Sequence, residues 1–268
     1  MIPGAKNAEG LLWIPPPRYL LRKQCVLRLL SGKGPCRVLE IGCGAGDLLK
    51  TLAGRGHTGI GLELSDETAA IARQTLGAHN RAFEVRVADY EDLAERFDVL
   101  MAFDVLEHIE DDEKALAAWR ALLRPEGLLL ISVPAHQARW GSSDTAVGHF
   151  RRYEKEGLRS LVERSGFRIE RLWCYGFPLS NVVARVAAIL AHRQGLDTPG
   201  DRARRTERSG LIRESDARLI RWLAPPAIVA PFAWLQMLFV SLDLGTGYLA
   251  LASAVGRQDS NGGCRADG

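Results

Sequence analysis

The run Val38-Leu39-Glu40-Ile41-Gly42-Cys43-Gly44-Ala45-Gly46-Asp47 constrains the fold of this chain more than any other segment. A mostly apolar, strand-forming stretch passes into a turn with glycine at every second position, and a helical pattern follows. Glycines in such a turn let the backbone bend tightly and come close to a ligand. From residue 37 onward the same alternation recurs. RVLEIG, HTGIGLEL, FEVRVAD, FDVLMAFD and GLLLISVPA read as buried strands stopped by Gly, Pro or Asp. DLLKTLAGRG, SDETAAIARQTLGAH and DDEKALAAWRALLRPEG read as the helices between them, the last with an acidic first turn and a Pro-Glu-Gly stop. Strands alternating with helices imply an α/β fold, a parallel sheet covered on both faces.

Spacing narrows the ligand of the glycine turn. A dinucleotide fingerprint would need its third Gly at position 47, which is Asp47. A nucleoside-triphosphate loop would need a Lys-Ser or Lys-Thr pair after its last Gly, and none follows. Glu40, two residues before Gly42, would repel a pyrophosphate, so the expected ligand is uncharged or cationic near that carboxylate.

Two further acids close strands. Glu63 ends the second, about twenty residues past the turn, where an acid in an open α/β sheet reaches ribose hydroxyls. Asp89 ends the third, followed by Tyr90, where it can accept from an adenine amino group. Each alone reads as a helix cap. Three acids at the carboxyl edge of one sheet, after one glycine turn, read as a binding edge.

These motifs together resemble the class I S-adenosylmethionine-dependent methyltransferase superfamily. VLEIGCGAG is similar to its first motif, GLELS to its second-strand acid, VADYEDL to its third-strand motif, FDVLMAFDVLEHI to its fourth and LLRPEGLLLISVPA to the passage into the fifth strand. The resemblance spans about residues 35 to 175. It implies a Rossmann-like, seven-stranded, mostly parallel sheet in the order 3-2-1-4-5-7-6, with the seventh strand antiparallel, and S-adenosyl-L-methionine as cofactor. By the same resemblance the cofactor set is Glu40, Gly42, Cys43, Gly44, Gly46, Glu63, Leu64, Asp89, Tyr90, Phe103 and Asp104. Glu63 would take the ribose hydroxyls and Asp89 the adenine amine, with Leu64 and Tyr90 flanking the ring. Phe103 and Asp104 would sit near the methionine end, whose carboxylate Arg18 or Arg22 could hold.

The acceptor side is expected to use His108 and His149. In Asp104-Val105-Leu106-Glu107-His108 a helical continuation would put residues 104, 107 and 108 on one face. That segment resembles its counterpart in quinone-biosynthesis O-methyltransferases, where an acid-plus-acid-His cluster can bind a metal. Ordering of a loop, a general base at His108 and a divalent-cation site are the three readings, and no metal is assigned. His149-Phe150-Arg151-Arg152-Tyr153 follows a polar stretch, GSSDTAVG, read as a loop. His149 is the second candidate base. The arginines either grip an anionic acceptor group or pair with Glu154 and Glu156. His57, His79 and His192 read as surface residues.

About seventy residues separate the sixth strand, RIERLWCYG, from the seventh, GTGYLALASAV, far more than an ordinary connection. They read as an inserted cap. Arg193 to Arg221 carries eight Arg against Asp197, Asp201, Glu207, Glu214 and Asp216, and Trp222 to Leu242 then carries no charge. Pro225, Pro226 and Pro231 argue against a membrane-spanning helix. A cap over an apolar acceptor, a surface resting on anionic membrane through residues 193–242, and a dimer interface are the uses of such a stretch.

The expected organisation is an N-terminal lid or helix at 1–34, a core at 35–177 and 244–256, the insertion at 178–243 and a tail at 257–268. Net charge +3 is too weak for nucleic acid, and five Cys without a CxxC pair, with no signal-peptide pattern, point to reduced thiols in the cytoplasm or at the inner face of the membrane. The expected function is O-methylation of a hydrophobic small-molecule or lipid-like acceptor. C-methylation of an isoprenoid or lipid, N-methylation of a small molecule, and a non-enzymatic cofactor-binding module are the alternatives.

Overall fold

In a computed structural model that describes residues 12–183, 185, 211–212 and 226–255, the first described elements are a two-residue strand, β1 (Leu12–Trp13), and a helix, α1 (Pro17–Leu29). Pro17 occupies the first helical position, where its missing N–H costs nothing and its fixed φ suits the helix. The alternating core follows: β2 (Arg37–Ile41), α2 (Asp47–Ala53), β3 (Thr58–Glu63), α3 (Asp66–Leu76), β4 (Phe83–Val87), β5 (Phe97–Phe103), α4 (Asp112–Ala121) and β6 (Leu123–Pro134). Then come α5 (Ser142–Val147), α6 (Lys155–Arg164), β7 (Phe167–Tyr175), β8 (Leu211–Ile212), a helix here called α7 (Pro226–Leu235), and β9 (Gly247–Ala254).

Seven of these strands form one sheet in the order β4-β3-β2-β5-β6-β9-β7. All pairs are parallel except those of β9, which runs antiparallel to both β6 and β7. Counted within the sheet, this is the expected 3-2-1-4-5-7-6. The apolar runs are nearly continuous because both faces are covered. On β5, Leu100 and Ala102 pack with Leu116 and Trp119 on one face, while Val99, Met101 and Phe103 pack with Leu48, Leu49 and Leu52 on the other.

Several local expectations change. The Pro-Glu-Gly stop lies inside a strand: α4 ends at Ala121, and Leu123 already pairs with Phe97 across a register irregularity. The polar stretch 141–148 holds the short helix α5. Asp89 lies beyond β4 and caps a 3-10 turn, accepting the N–H of Glu91 at 3.3 Å. His57 is buried and its Nδ1 accepts the N–H of Cys36 at 3.1 Å, so it is a core residue. Cys25, Cys36, Cys43 and Cys174 carry free thiols.

The insertion comes back onto the N-terminal segment. Leu12–Trp13 pairs antiparallel with Leu211–Ile212, and Val229 and Ala233 of α7 bury against Leu21 of α1. Gln236 locks that packing, donating to the Leu21 carbonyl at 3.0 Å and accepting the Gly176 N–H at 3.1 Å. Pro231 sits within α7 and does not break it. Among the described residues no helix is long and apolar enough to cross a membrane. Most of the basic stretch 193–221, His192 and the tail 257–268 lie outside the described residues.

Candidate active site

A cavity of about 640 Å³ opens at the carboxyl ends of β2, β3, β4 and β5, beneath α1. The topology puts it there, because every parallel strand delivers its following loop to the same edge. Gly42, Gly44, Glu63, Leu64, Asp89, Tyr90, Phe103, Asp104 and His108 all line it, as do Trp13, Arg18, Tyr19 and Arg22 from the N-terminal segment. A small molecule of cofactor size fits such a volume.

The glycine turn and Glu63 form one unit. Glu63 Oε2 accepts the N–H of Gly44 at 3.0 Å, and Oε1 accepts the N–H of Leu64 at 3.0 Å. Oε1 also accepts the N–H of Ser65 at 3.4 Å, and Oε2 keeps a lone pair for a further donor. Gly42 sits at φ +69, and a Cβ there would meet the Val105 side chain at 2.9 Å. Tyr90 is held edge-on against Trp119, ring centroids 5.9 Å apart, whereas Leu64 across the opening is 74% exposed.

Glu40, Cys43 and Gly46, expected with this set, do not line the cavity. Alternation along β2 sends Ile41 to the cavity and buries Glu40, whose carboxyl burial pushes up to about 8 against the pull of Arg22 and Lys23. The charge argument made from an ionised Glu40 therefore does not hold near neutral pH. Cys43 is buried under the turn, against Gly61. Gly46, at φ +73, faces Ala72: a Cβ would lie 3.1 Å from its backbone, so this glycine serves the close approach of α2 and α3.

Asp104 turns out to be shared by α1. Arg18 Nη2 donates to its Oδ1 at 3.1 Å, Arg22 Nη1 forms a short contact with Oδ2, and Ser132 donates to Oδ1 at 3.3 Å. Burial opposes ionisation of Asp104, but the two guanidinium groups outweigh it and hold its carboxyl below the usual range. Asp104 stands outside the 3-10 turn of Leu106–His108, and its carboxylate is spent on the arginines. The face expected from residues 104, 107 and 108 is not formed.

Glu107, His108 and His149 come together instead, with ligand-type atoms all within 4.8 Å. The N–H of Phe150 donates to the Glu107 carbonyl at 2.8 Å, which ties the two segments. Glu107 is 0% exposed and neither carboxyl oxygen has a hydrogen-bond partner. Burial and then the neighbouring Asp104 push its carboxyl far up from the usual carboxylate range. The rings of His108 and His149 meet edge to face at 4.7 Å. Burial, and then His149, lower His108 to about 4, leaving a neutral ring with a free lone pair at the cavity wall.

His149 does not line the cavity; it stands behind His108. Its Nδ1 is 2.9 Å from Oδ1 of Asp144, and its Nε2 is 3.8 Å from Glu107 Oε1. Asp144 is 2% exposed and also accepts from Arg152 Nε at 2.8 Å and the Gly141 N–H at 2.9 Å. Burial works against its charge, yet the bonds from His149, Arg152 and Gly141 hold it down at about 2. Asp144 is a site residue the sequence reading missed; its only signal was an acid five residues before His149. Arg151 pairs with Asp112 at 2.8 Å, and the Tyr153 hydroxyl donates to the same carboxylate at 2.9 Å. The arginines thus pair with Asp112 and Asp144, not with Glu154 and Glu156, and are not free to grip an acceptor.

Residues 18–172 match the family model described as a methyltransferase domain. Over 108 residues the chain is 36% identical to the ubiquinone biosynthesis O-methyltransferase of Bradyrhizobium diazoefficiens, covering 40% of this chain and 43% of that protein. It is 30% identical over 120 residues to the protein of the same name from Actinobacillus pleuropneumoniae, covering 42% and 51%. The chain thus spans about half the length of the curated relatives it matches. A methyltransferase structure from Mesorhizobium loti superposes with TM-score 0.53 at 18% identity, covering 89% of this chain and 98% of that one. The cyclase SpnF does so with TM-score 0.59 at 19% identity, covering 96% and 88%. At such identities these likenesses speak for the fold.

Proposed function

The chain belongs to the methyltransferase domain family, and from that premise we propose that it moves a methyl group from S-adenosylmethionine to an oxygen of a hydrophobic small molecule. The observation that carries this reading is one cavity lined by the glycine turn with its Glu63 anchor, by Asp89, and by His108. The cofactor supplies a methyl group on a sulfonium, an electrophile that needs no further activation.

The residues present fit that cofactor. Glu63 presents its carboxylate, with a lone pair of Oε2 free, to the ribose hydroxyls, and Asp89 accepts from an amino group. Tyr90, braced by Trp119, and Leu64, whose exposed side chain a ring would cover, flank the base. Gly42 and Gly44 admit the backbone-close part of the ligand. Arg18 and Arg22, paired with Asp104 beside Phe103, receive its carboxylate end.

His108 takes the acceptor's hydroxyl proton. His149 stands behind it, oriented by Asp144, and Glu107 stays neutral, so that a second negative charge does not build up beside Asp104. Trp13 and Tyr19, ring centroids 5.3 Å apart, roof the cavity and exclude water.

The N-terminal segment 1–34 and the insertion 178–243 act together as a lid and cap, supported by the packing of α7 on α1. Trp234 and Leu238, 68% and 73% exposed on that cap, suit contact with a membrane surface from which a lipophilic acceptor is taken. The deciding experiment is transfer of labelled methyl from S-adenosylmethionine into quinone and lipid extracts, with and without vesicles. Label in a base-stable ether product supports the reading. Cofactor binding without transfer to any extract overturns it in favour of a binding module.

A further inference from the structure

We propose that His136, Cys174 and Asp243 form a second site, apart from the cavity, that binds one Zn²⁺ or a similar borderline-soft divalent cation. A ring nitrogen of His136, Sγ of Cys174 and a carboxylate oxygen of Asp243 all lie within 4.8 Å of one another, and none of the three residues lines the cavity. The sheet brings them together. β9 lies between β6 and β7 and runs against both, so the turn that enters it, carrying Asp243, meets the end of β7 at Cys174 and the residues just past β6 at His136.

One of the three donors has no partner of its own. Nε2 of His136 is buried with no hydrogen-bond partner, and it lies 3.8 Å from Oδ1 of Asp243. That is too long for a hydrogen bond, and a shift of a few tenths of an ångström brings the pair to the roughly 3.3–3.6 Å that two ligands at about 2.0–2.2 Å from a tetrahedral Zn²⁺ span. Nδ1 of the same ring faces the Tyr248 hydroxyl at 3.5 Å, and the Glu154 carboxylate is 3.9 Å away, beyond hydrogen-bond reach. Cys174 is buried, and its sulfur accepts the Gly245 N–H at 3.1 Å; burial and then the Asp243 carboxylate push its thiol up to about 12 without an ion, so a cation must displace that proton. Tyr248 donates to Asp243 at 2.7 Å and so steers the carboxylate.

A thiolate, a carboxylate and a neutral imidazole together balance the two charges of the ion. On binding, the Cys174 thiol proton leaves to solvent and no redox change is involved. The ion would pin the end of the insertion to the sheet edge.

Titration of the chelator-stripped full chain with Co²⁺ tests this without reference to methyl transfer. The expected result is one Co²⁺ per chain with a near-ultraviolet thiolate-to-cobalt charge-transfer band that Zn²⁺ abolishes. Glu107, His108 and His149 include no sulfur and cannot produce that band. Cys174→Ser should lose it, Cys36→Ser should keep it, and Asp243→Asn, at a half-exposed position, should weaken Co²⁺ by at least about tenfold. No thiolate band in the wild type, a band that survives Cys174→Ser, or unchanged affinity in Asp243→Asn overturns the proposal and leaves a hydrogen-bonded cluster.

Discussion

Glu63 accepts the backbone N–H of Gly44 at 3.0 Å, so the strand-end acid and the glycine turn hold each other in place. Removing the acceptor should loosen the turn before any ligand arrives. In Glu63→Ala the amide of Gly44 is expected to exchange with solvent faster, with a stability loss of about 1 kcal/mol. Hydrogen exchange at that amide is the direct check. Unchanged protection would mean that the turn is held by its own backbone.

Gly46 separates packing from binding. Gly46→Ala places a Cβ 3.1 Å from the backbone of Ala72 at a φ of +73. The expected cost is about 1–3 kcal/mol in denaturant unfolding. Because Gly46 does not line the cavity, the folded variant should bind the cofactor within a few-fold of wild type. A large loss of affinity at unchanged stability would return Gly46 to the binding set.

Glu40 makes stability depend on pH. Its carboxyl titrates near 8 in the fold and near its ordinary value of 4.5 unfolded, burial being the main cause. Between those values the unfolded chain has given up a proton that the folded chain keeps, so stability falls as pH rises from about 4.5 to 8. Glu40→Gln has no proton to give up. Its stability relative to wild type should therefore grow by up to about 1.4 kcal/mol per pH unit across that window. Chemical denaturation of both proteins at pH 5 and pH 8 measures it, and parallel pH profiles would contradict it.

The Asp144–His149 pair should act through orientation. Asp144→Asn leaves His149 in place but removes the charge that fixes its ring. With a competent acceptor, kcat should fall about 10²-fold or more for His108→Ala, and less for Asp144→Asn, with cofactor affinity unchanged. A rise in KM at constant kcat in either variant would assign these residues to acceptor binding.

The strands, the glycine turn and the acids Glu63 and Asp89 are legible because each rests on local pattern: a buried apolar run, a turn glycine, an acid at or just past a strand end; the sheet order is what the family resemblance implies. What was not legible depends on distant partners. Asp104 meets Arg18 and Arg22 across more than eighty residues, and nothing near FDVLEH indicates that its carboxylate is taken. Glu40 was read as facing the ligand because the motif lists it beside Gly42, whereas strand alternation turns it away. Arg152, expected on an anionic acceptor group or on Glu154 and Glu156, pairs with Asp144 instead, because α5 forms where the pattern reads as a loop. His57 looked like a surface residue until the Cys36 amide was found on its ring.

The central claim is that the Gly44–Glu63 edge binds S-adenosylmethionine. Calorimetric titration of wild type and Glu63→Ala with S-adenosylmethionine and its demethylated product tests it most directly. Binding by the wild type is expected, weakened by roughly 1–3 kcal/mol in the variant, as donors lose their acceptor. No binding by the wild type, or equal affinity in both proteins, would contradict it.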